Sequence, residues 1–156
     1  MLNGKNKRHP PQQAKTITGV DFLSDYLNPN LTNNELHAMS ALGLAHIGDA
    51  VFELMVRTWL CTRGTVTAKK LHGKTVAIVS AKAQSAAVGR ILPCLSEDEL
   101  AVFKRGRNTH VNSVPRGSTY EEYHLATGIE ALFGYLYLSG QTARLHELFD
   151  IIVEEK

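Results

Sequence analysis

AHIGDAVFELMVR, residues 45–57, is the stretch that decides the fold class of this 156-residue chain. Phe52, Met55 and Trp59 recur at the spacing of one helix face, which predicts an amphipathic helix with a core-facing side. Asp49 interrupts the apolar run and shares another face with Ala45 and Glu53. A carboxylate next to a core is costly unless something pairs with it. The stretch therefore predicts a buried Asp49 that has a partner.

A second apolar stretch, EEYHLATGIEALFGYLYLSG at residues 121–140, also predicts a helix and contains an acid, Glu130. Small residues flank both acids, and they would allow close helix packing. Two carboxylates that face each other repel unless one is protonated or a cation lies between them. Mg²⁺ prefers oxygen ligands and would resolve this conflict. The alternative is that Asp49 and Glu130 form separate buried bonds to Arg side chains or to the backbone.

The rest of the chain predicts an all-α fold of six or seven helices in one domain. Residues 1–19 are polar and predict a flexible tail, which leaves 20–156 as the domain. Thr32 with Glu35 and Ser96 with Glu99 have capping-box spacing. The predicted helices cover Asp21–Leu27, Thr32 to about Leu60 with a break near Ser40 or Gly43, Thr67 to about His72 or beyond, Lys74–Val88, Ser96–Phe103, Thr119–Gly140 and Thr142–Glu154. Apolar residues at helical spacing mark Lys74–Val88 (Val76, Val79, Ala83 and Ala87) and one side of the last helix (Leu145, Leu148, Phe149 and Ile152). Residues 106–118 predict a basic loop.

Composition excludes several classes of protein. Hydrophobic residues make up 44% of the chain, which indicates a packed globule and not a disordered protein. Cys61 and Cys94 are too few for a disulfide framework, and no Cys/His spacing suggests zinc. No apolar run reaches the roughly 18 residues that would span a membrane. The N-terminus lacks an apolar segment after its charges, so a cytoplasmic protein is expected, with no membrane partner.

Charge is distributed unevenly although the net charge is only +2. Residues 54–120 hold eleven basic and three acidic residues, whereas acids outnumber bases in the remainder. This segregation favours a basic face for a polyanion. The alternative is that solvated helices happen to be rich in lysine. If the polyanion is a nucleic acid, Mg²⁺ beside it points to metal-assisted phosphodiester hydrolysis.

Two motifs resemble the ribonuclease III family. LAHIGDAVFELMVR, residues 44–57, resembles the first acidic helix of its catalytic domain, and TGIEALFGYLYLSG, residues 127–140, resembles the second. Three further stretches are similar to the short subclass called mini-ribonuclease III: LHGKTVAIVSAKAQSAAV, FKRGRN and TYEEYHLATG. The resemblance covers about residues 20–153. The longer members add a double-stranded-RNA-binding domain, and nothing in this sequence resembles one.

The resemblance implies a homodimeric all-α endonuclease that cleaves double-stranded RNA with Mg²⁺, for which Mn²⁺ can substitute. The subclass is associated with maturation of the large-subunit (23S) ribosomal RNA precursor. Asp49 and Glu130 would be the catalytic acids and metal ligands. Longer members carry further acids where this chain has Leu42, Ala45 and Thr127, so one metal ion is a safer expectation than two.

Basic and polar residues are the candidates for RNA contact. His72 and Lys74 lie on one predicted helix, and the others surround the predicted loop: Lys104, Arg105, Arg107, Asn108 and Arg116. Thr127 could bond a metal-bound water, but a bond to its own backbone is favoured. Glu53 could support the site, but pairing with Arg57 four residues on is favoured.

Two rival functions remain at this point. The first is a catalytically silent domain that binds RNA or the ribosome, against which the presence of both acids argues. The second is a helical interaction module that binds no nucleic acid. Retention on heparin or RNA at low salt would separate the second rival from the others.

Overall fold

Seven α-helices and one short 3-10 helix account for most of the chain in a computed structural model that describes residues 26–64, 67–111 and 113–154. No strand occurs in these residues, which agrees with the predicted all-α fold. The predicted tail and most of the predicted helix at residues 21–27 lie outside the described residues. The α-helices are α1 Asn33–Ala38, α2 Ala41–Thr62, α3 Ala68–Val79, α4 Ala81–Ile91, α5 Glu97–Arg107, α6 Tyr120–Leu138 and α7 Thr142–Val153, with the 3-10 helix Leu92–Cys94.

Hydroxyl side chains begin most of these helices, as the sequence predicts. The side chain of Thr32 accepts a hydrogen bond from the backbone of Glu35, and the Glu35 side chain accepts one from the Thr32 backbone. Ser96 and Thr119 form capping boxes of the same kind. Ser40 caps α2, which confirms the predicted break before that helix. Each cap satisfies backbone donors that a helix leaves unpaired at its start.

Helix α6 lies at the centre of the fold and packs against α2, α4, α5 and α7. Nine of its residues are buried. Phe133 of α6 contacts Phe52 of α2 edge-on, with ring centroids 5.2 Å apart, and Phe52 contacts Phe149 of α7 at 5.9 Å. This geometry is favourable for aromatic pairs. The core therefore forms around the two apolar helices that carry the acids.

Helices α2 and α6 cross at two glycines with no side chain between their backbones. A Cβ placed on Gly48 would lie 1.7 Å from the backbone oxygen of Glu130, and one on Gly134 would lie 2.0 Å from the backbone oxygen of Leu44. No side chain fits at these distances, so the crossing requires glycine on both helices. The crossing brings the segment that holds Asp49 against the segment that holds Glu130.

Helix α5 is longer than predicted, because it continues from Phe103 to Arg107. The prediction ended the helix at Phe103 because residues 106–118 contain glycines, a proline and asparagines and have no helical period. In the structure Gly106 is buried against α6, where an added Cβ would lie 2.6 Å from that of Ala131 and 2.8 Å from the backbone oxygen of Thr127. Tertiary packing thus overrides the weak helix propensity of this residue.

The predicted helix Lys74–Val88 is wrong, because Ser80 divides the region into α3 and α4. Ser80 is extended, with φ −62° and ψ 147°, and its backbone N–H donates to Val76 as α3 ends. Its hydroxyl accepts a hydrogen bond from the backbone of Ala83 as α4 begins. One serine therefore ends one helix and caps the next, which a continuous helical spacing of apolar residues does not reveal.

Helix α7 is held to the start of α5 by a partly buried ion pair. Arg144 donates to both carboxylate oxygens of Glu99, at 2.8 and 2.9 Å, and Glu99 is buried. The hydrogen bonds from Arg144 lower the pKa of Glu99 despite its burial. The predicted core residues of α7, Leu145, Leu148, Phe149 and Ile152, are all buried.

None of the helices in the described residues is long and apolar enough to cross a bilayer.

Candidate active site

Asp49 lies on the exposed side of α2, and the prediction that it is buried is wrong. Successive residues of a helix are rotated by about 100° from one another. Gly48 takes the position that faces α6, so Asp49 points away from the core to the edge of the crossing. The carboxylate is therefore next to the packed interface and open to solvent.

Glu130 lies directly across the same crossing, on α6, and is half-buried. Its backbone oxygen is the atom that a Cβ added at Gly48, the neighbour of Asp49, would meet first. Burial raises the pKa of the Glu130 carboxyl to about 8, with a further rise from the charge of Asp49 and an opposing effect of the Gln84 side chain. The charged form of Glu130 is thus disfavoured until a positive group approaches it.

The Asp49 carboxyl is affected by the same kinds of interaction. Partial burial raises its pKa, the charge of Glu53 adds to the rise, and His46 opposes it. Glu53 pairs with Arg57, whose Nε lies 2.8 Å from the Glu53 carboxylate, as the favoured interpretation predicted. Arg57 is therefore already occupied by Glu53, four residues after Asp49.

No Arg or Lys forms a salt bridge with Asp49 or Glu130 within the described residues. This argues against the alternative in which each acid is half of a separate buried ion pair. The described residues contain no group of three or more acids, histidines and cysteines that could hold a metal. Two carboxylates still suit Mg²⁺, which is commonly held by one or two carboxylates, waters and substrate phosphate. The donor set therefore fits a single hard divalent cation.

Thr127 is buried, and its hydroxyl donates to the backbone oxygen of Tyr123 at 2.9 Å. This confirms the favoured interpretation, in which the hydroxyl bonds its own helix. The Thr127 side chain is thus used for local helix bonding.

The candidate RNA-binding residues lie on two parts of the surface. His72 and Lys74 are exposed on α3, which packs on α2 and α4. The prediction of one basic loop is partly wrong, because Lys104, Arg105 and Arg107 belong to the last turns of α5. Asn108 is the C-cap of that helix, and Arg116 is exposed in the following loop. Positive side chains suit the C-terminal end of a helix, where the helix dipole is negative.

Two of these side chains are less free than predicted. Arg105 is half-buried, and its Nε is buried with no hydrogen-bond partner among the described residues. Arg107 is half-buried, and its Nε donates to the side chain of Asn108 at 3.1 Å. Lys104 and Arg116 are the exposed cations at this end of the molecule.

Sequence reasoning missed Gln84, which lies on α4 and is only 1% exposed. Its neighbours on the buried side of α4 are apolar: Ala87, Val88 and Ile91. A polar residue on the core-facing side of a helix was the available signal. The prediction lacked the helix boundary at Ser80, and its apolar face ran through Ala83 and Ala87, so Gln84 was not recognised as core-facing.

The raised pKa of Glu130 predicts that stability without metal depends on pH. The folded state holds this proton more tightly than the unfolded chain, whose Glu has the ordinary pKa of 4.5. The tighter binding of this proton therefore stabilises the fold fully below pH 4.5, and this contribution to the free energy of unfolding is lost as the pH rises through about 8. The slope approaches about 1.4 kcal/mol per pH unit.

Urea unfolding in EDTA across this range should show the decline in the wild type. Glu130→Gln cannot lose this proton and should show a flatter profile. Identical pH profiles in the two proteins would contradict the environment described for Glu130.

Comparisons with known proteins place the chain among helical ribonucleases, in agreement with its all-α fold. A profile of the ribonuclease III domain matches residues 42–141. A Mini-ribonuclease 3 of Clostridium tetani is 40% identical over 129 residues, which cover 82% of this chain and 85% of the relative. A Mini-ribonuclease 3 of a Thermoanaerobacter species is 43% identical over 124 residues, which cover 80% and 87%. The crystal structure of a Fusobacterium nucleatum protein matches with a TM-score of 0.70 and 31% identity, and covers 76% of this chain and 95% of that chain.

The helical fold and these matches define the class: the chain belongs to the ribonuclease III family. The two relatives at 40% and 43% identity are mini-ribonucleases and match over most of the chain, so the predicted resemblance to that group is confirmed. It is an endoribonuclease of this family, a family that generally depends on a divalent metal.

Proposed function

We propose that this chain cleaves double-stranded RNA in a Mg²⁺-dependent reaction, with Asp49 and Glu130 as the catalytic metal ligands. The observation that carries the proposal is the pair of acids, Asp49 and Glu130, on two helices that cross at Gly48, neither of which forms a salt bridge within the described residues. When bound, Mg²⁺ would lower the pKa of a water and polarise the scissile phosphate. Mn²⁺ should substitute, since it also suits carboxylate and water ligands.

The residues of the chain supply position and charge. Asp49 is exposed and would meet the ion from the solvent side, whereas half-buried Glu130 would hold it at the helix crossing. Glu130 would release its proton as the ion is bound, because the nearby positive charge favours the carboxylate. With two acids instead of a larger cluster, one ion per site is the simplest occupancy.

The direct test is incubation of the purified chain with duplex RNA in Mg²⁺, in Mn²⁺ and in EDTA. Cleavage is expected in both metals and not in EDTA, with single-stranded RNA of the same sequence cut much more slowly. A duplex that is bound but left intact in both metals would overturn the proposed reaction.

We infer that the exposed cations near the C-terminal end of α5 and on α3 contact the RNA backbone. Lys74, Lys104 and Arg116 are exposed, as are His72 and Asn108. A-form RNA is recognised mainly through its shape, its phosphates and its 2′-hydroxyls. Binding should therefore vary little between duplex sequences.

Lys104→Ala combined with Arg116→Ala is expected to weaken duplex binding for all sequences, because phosphate contacts carry no base information. The slope of log affinity against log salt should fall by about one unit for each phosphate that is no longer bound. Binding in Ca²⁺ at several salt concentrations measures both effects. Arg63→Ala, at an exposed cation that ends α2 and stacks on Trp59 and is not among the residues assigned to RNA contact, is the control. Equal effects of Arg63→Ala and the double variant would contradict the assignment.

We infer that the chain forms a homodimer through the outer face of α2. A groove of about 850 Å³ is lined there by Ile47, Val51, Leu54 and Met55, together with Tyr26 and Leu27. Leu54 is 61% exposed, and Tyr26 and Leu27 are 76% exposed. Contiguous exposed apolar side chains indicate an interaction surface. A second copy is the favoured occupant, because a two-fold dimer would place one site at each strand of a duplex.

Leu54→Glu is expected to convert the dimer into a monomer, because it would bury an unpaired charge at the two-fold interface. Sedimentation at micromolar concentration measures the change. Val76→Glu adds the same charge at another exposed apolar residue and should leave the dimer intact. A wild type that sediments as a monomer would refute the proposed dimer.

The proposed physiological substrate is the large-subunit (23S) ribosomal RNA precursor, in the cytoplasm. The likeness to mini-ribonucleases supports this substrate. Mapping the ends of this RNA in cells depleted of the protein tests it, because unprocessed ends should accumulate. Mature ends in depleted cells would exclude this role.

A further inference from the structure

Gln84 is a buried polar side chain that the proposed reaction does not use. It lies in the first turns of α4, where its backbone N–H donates to Ser80 at 2.9 Å. Its side chain is 1% exposed, and α4 packs against α6, the helix of Glu130. Neither Nε2 nor Oε1 of the amide completes a hydrogen bond with any described residue. A buried amide in this state is uncommon and suggests a role beyond packing.

Gln84 lies on the buried side of α4, which packs against α6, and Glu130 is half-buried on α6. The Gln84 side chain also opposes the rise in the pKa of the Glu130 carboxyl, which agrees with a position near that group. An ionised carboxylate can only accept hydrogen bonds, whereas a glutamine amide carries two N–H donors. The amide nitrogen is therefore the end of Gln84 that suits ionised Glu130.

We propose that Gln84 is a positioning residue for Glu130: its amide fixes one carboxylate oxygen and leaves the other to face Asp49 and a divalent cation. The inference rests on the proposed metal-dependent function. It adds that α4, which carries neither acid, sets the orientation of one acid and hence the affinity of the pair for metal. Outer groups that orient a metal ligand typically change metal affinity or activity by 10- to 100-fold.

The test replaces Gln84 by Met, which keeps a similar length and removes both ends of the amide. Binding of Mn²⁺ to the full chain is measured by electron paramagnetic resonance, and cleavage is measured against Mg²⁺ concentration. Gln84→Met is expected to weaken Mn²⁺ binding by about 10- to 100-fold and to raise the Mg²⁺ needed for half-maximal cleavage by a similar factor. Duplex affinity in Ca²⁺ and the melting temperature in EDTA should not fall.

Thr75→Val is the matched control, because Thr75 is also buried and its hydroxyl bonds only the backbone of Leu71 in its own helix. It removes a buried polar group far from the acids in sequence and should leave Mn²⁺ binding unchanged. Gln84→Leu serves as a second apolar variant of different shape if Gln84→Met does not fold. Weakened binding in either folded Gln84 variant, with normal binding in Thr75→Val, supports the proposal.

Two outcomes separate the failure of this inference from that of the proposed function. If the wild type binds Mn²⁺, Glu130→Gln does not, and Gln84→Met binds as well as the wild type, the role of Gln84 is overturned and the metal site stands. If the wild type binds no Mn²⁺, or Glu130→Gln binds it equally well, the metal site itself is overturned, and the role of Gln84 with it.

Discussion

Asp49→Asn and Glu130→Gln are each expected to lower the rate of duplex-RNA cleavage by roughly 10³-fold or more. Each change keeps the shape of the side chain and removes a charge that would hold the metal. A metal ion contributes several kcal/mol of charge stabilisation to such a transition state, and about 1.4 kcal/mol corresponds to tenfold in rate. Duplex binding should be nearly unchanged, because phosphate contacts lie on other residues. Single-turnover cleavage in Mg²⁺ and binding in Ca²⁺ measure the two effects.

Asp150→Asn and Glu97→Gln make the same chemical changes at exposed acids of α7 and α5 and serve as controls. They should cleave like the wild type.

Stability provides a second readout for the Glu130 variant. Glu130→Gln replaces a carboxyl whose charged form is disfavoured, so it should be as stable as the wild type in EDTA. A structural ion pair would instead lose about 3–5 kcal/mol when one partner is removed. Wild-type cleavage by either variant would remove that acid from the mechanism.

Gly48→Ala is expected to destabilise the fold by about 3 kcal/mol or more, at the upper end of the range for overpacked cores. The added methyl group would lie 1.7 Å from the backbone oxygen of Glu130 and 2.6 Å from the backbone nitrogen of Gly134. Backbone atoms cannot turn aside as a flexible side chain can, so α2 and α6 must separate. The separation moves Asp49 away from Glu130, so cleavage should fall in the protein that remains folded. Thermal and urea unfolding measure the loss.

Gly73→Ala and Gly89→Ala provide the matched controls within helices α3 and α4. An added Cβ meets no atom within 4 Å at either position. Each should stabilise the chain by about 0.5–1 kcal/mol, because alanine favours the helix over glycine. If Gly48→Ala behaved like these two variants, the close crossing of α2 and α6 would be disproved.

The fold could be predicted from the sequence wherever a local pattern had one physical outcome. Thr32 and Ser96 each stand before an acid three residues on and form the predicted capping boxes, and Thr119, where a helix was predicted to begin, forms a third. The apolar spacing of α7 placed its four core residues correctly. These features depend on neighbours within a few residues, which sequence spacing records directly.

The errors arose where a distant helix decides the outcome. Gly106 continues α5 because α6 lies against it, and no local pattern shows that contact. Asp49 and Glu130 lie on the two helices that cross at Gly48, but the prediction that Asp49 is buried was wrong because Gly48, one residue earlier, faces α6. Gln84 was missed because the side of α4 that is buried depends on the division of α3 from α4 at Ser80.

Helices α2 and α6 touch backbone to backbone where they cross. This contact limits which mutations could change the metal-ion preference of the chain in directed evolution. Helix spacing in most cores can be adjusted through the size of the side chains between the helices. At Gly48 and Gly134 there are none, and a larger residue would disrupt the packing before it changed the spacing by a useful amount. The remaining variable is the reach of the acids, as in Asp49→Glu or Glu130→Asp. Selection for a larger ion such as Ca²⁺ should therefore change the length of the acids and leave both glycines in place.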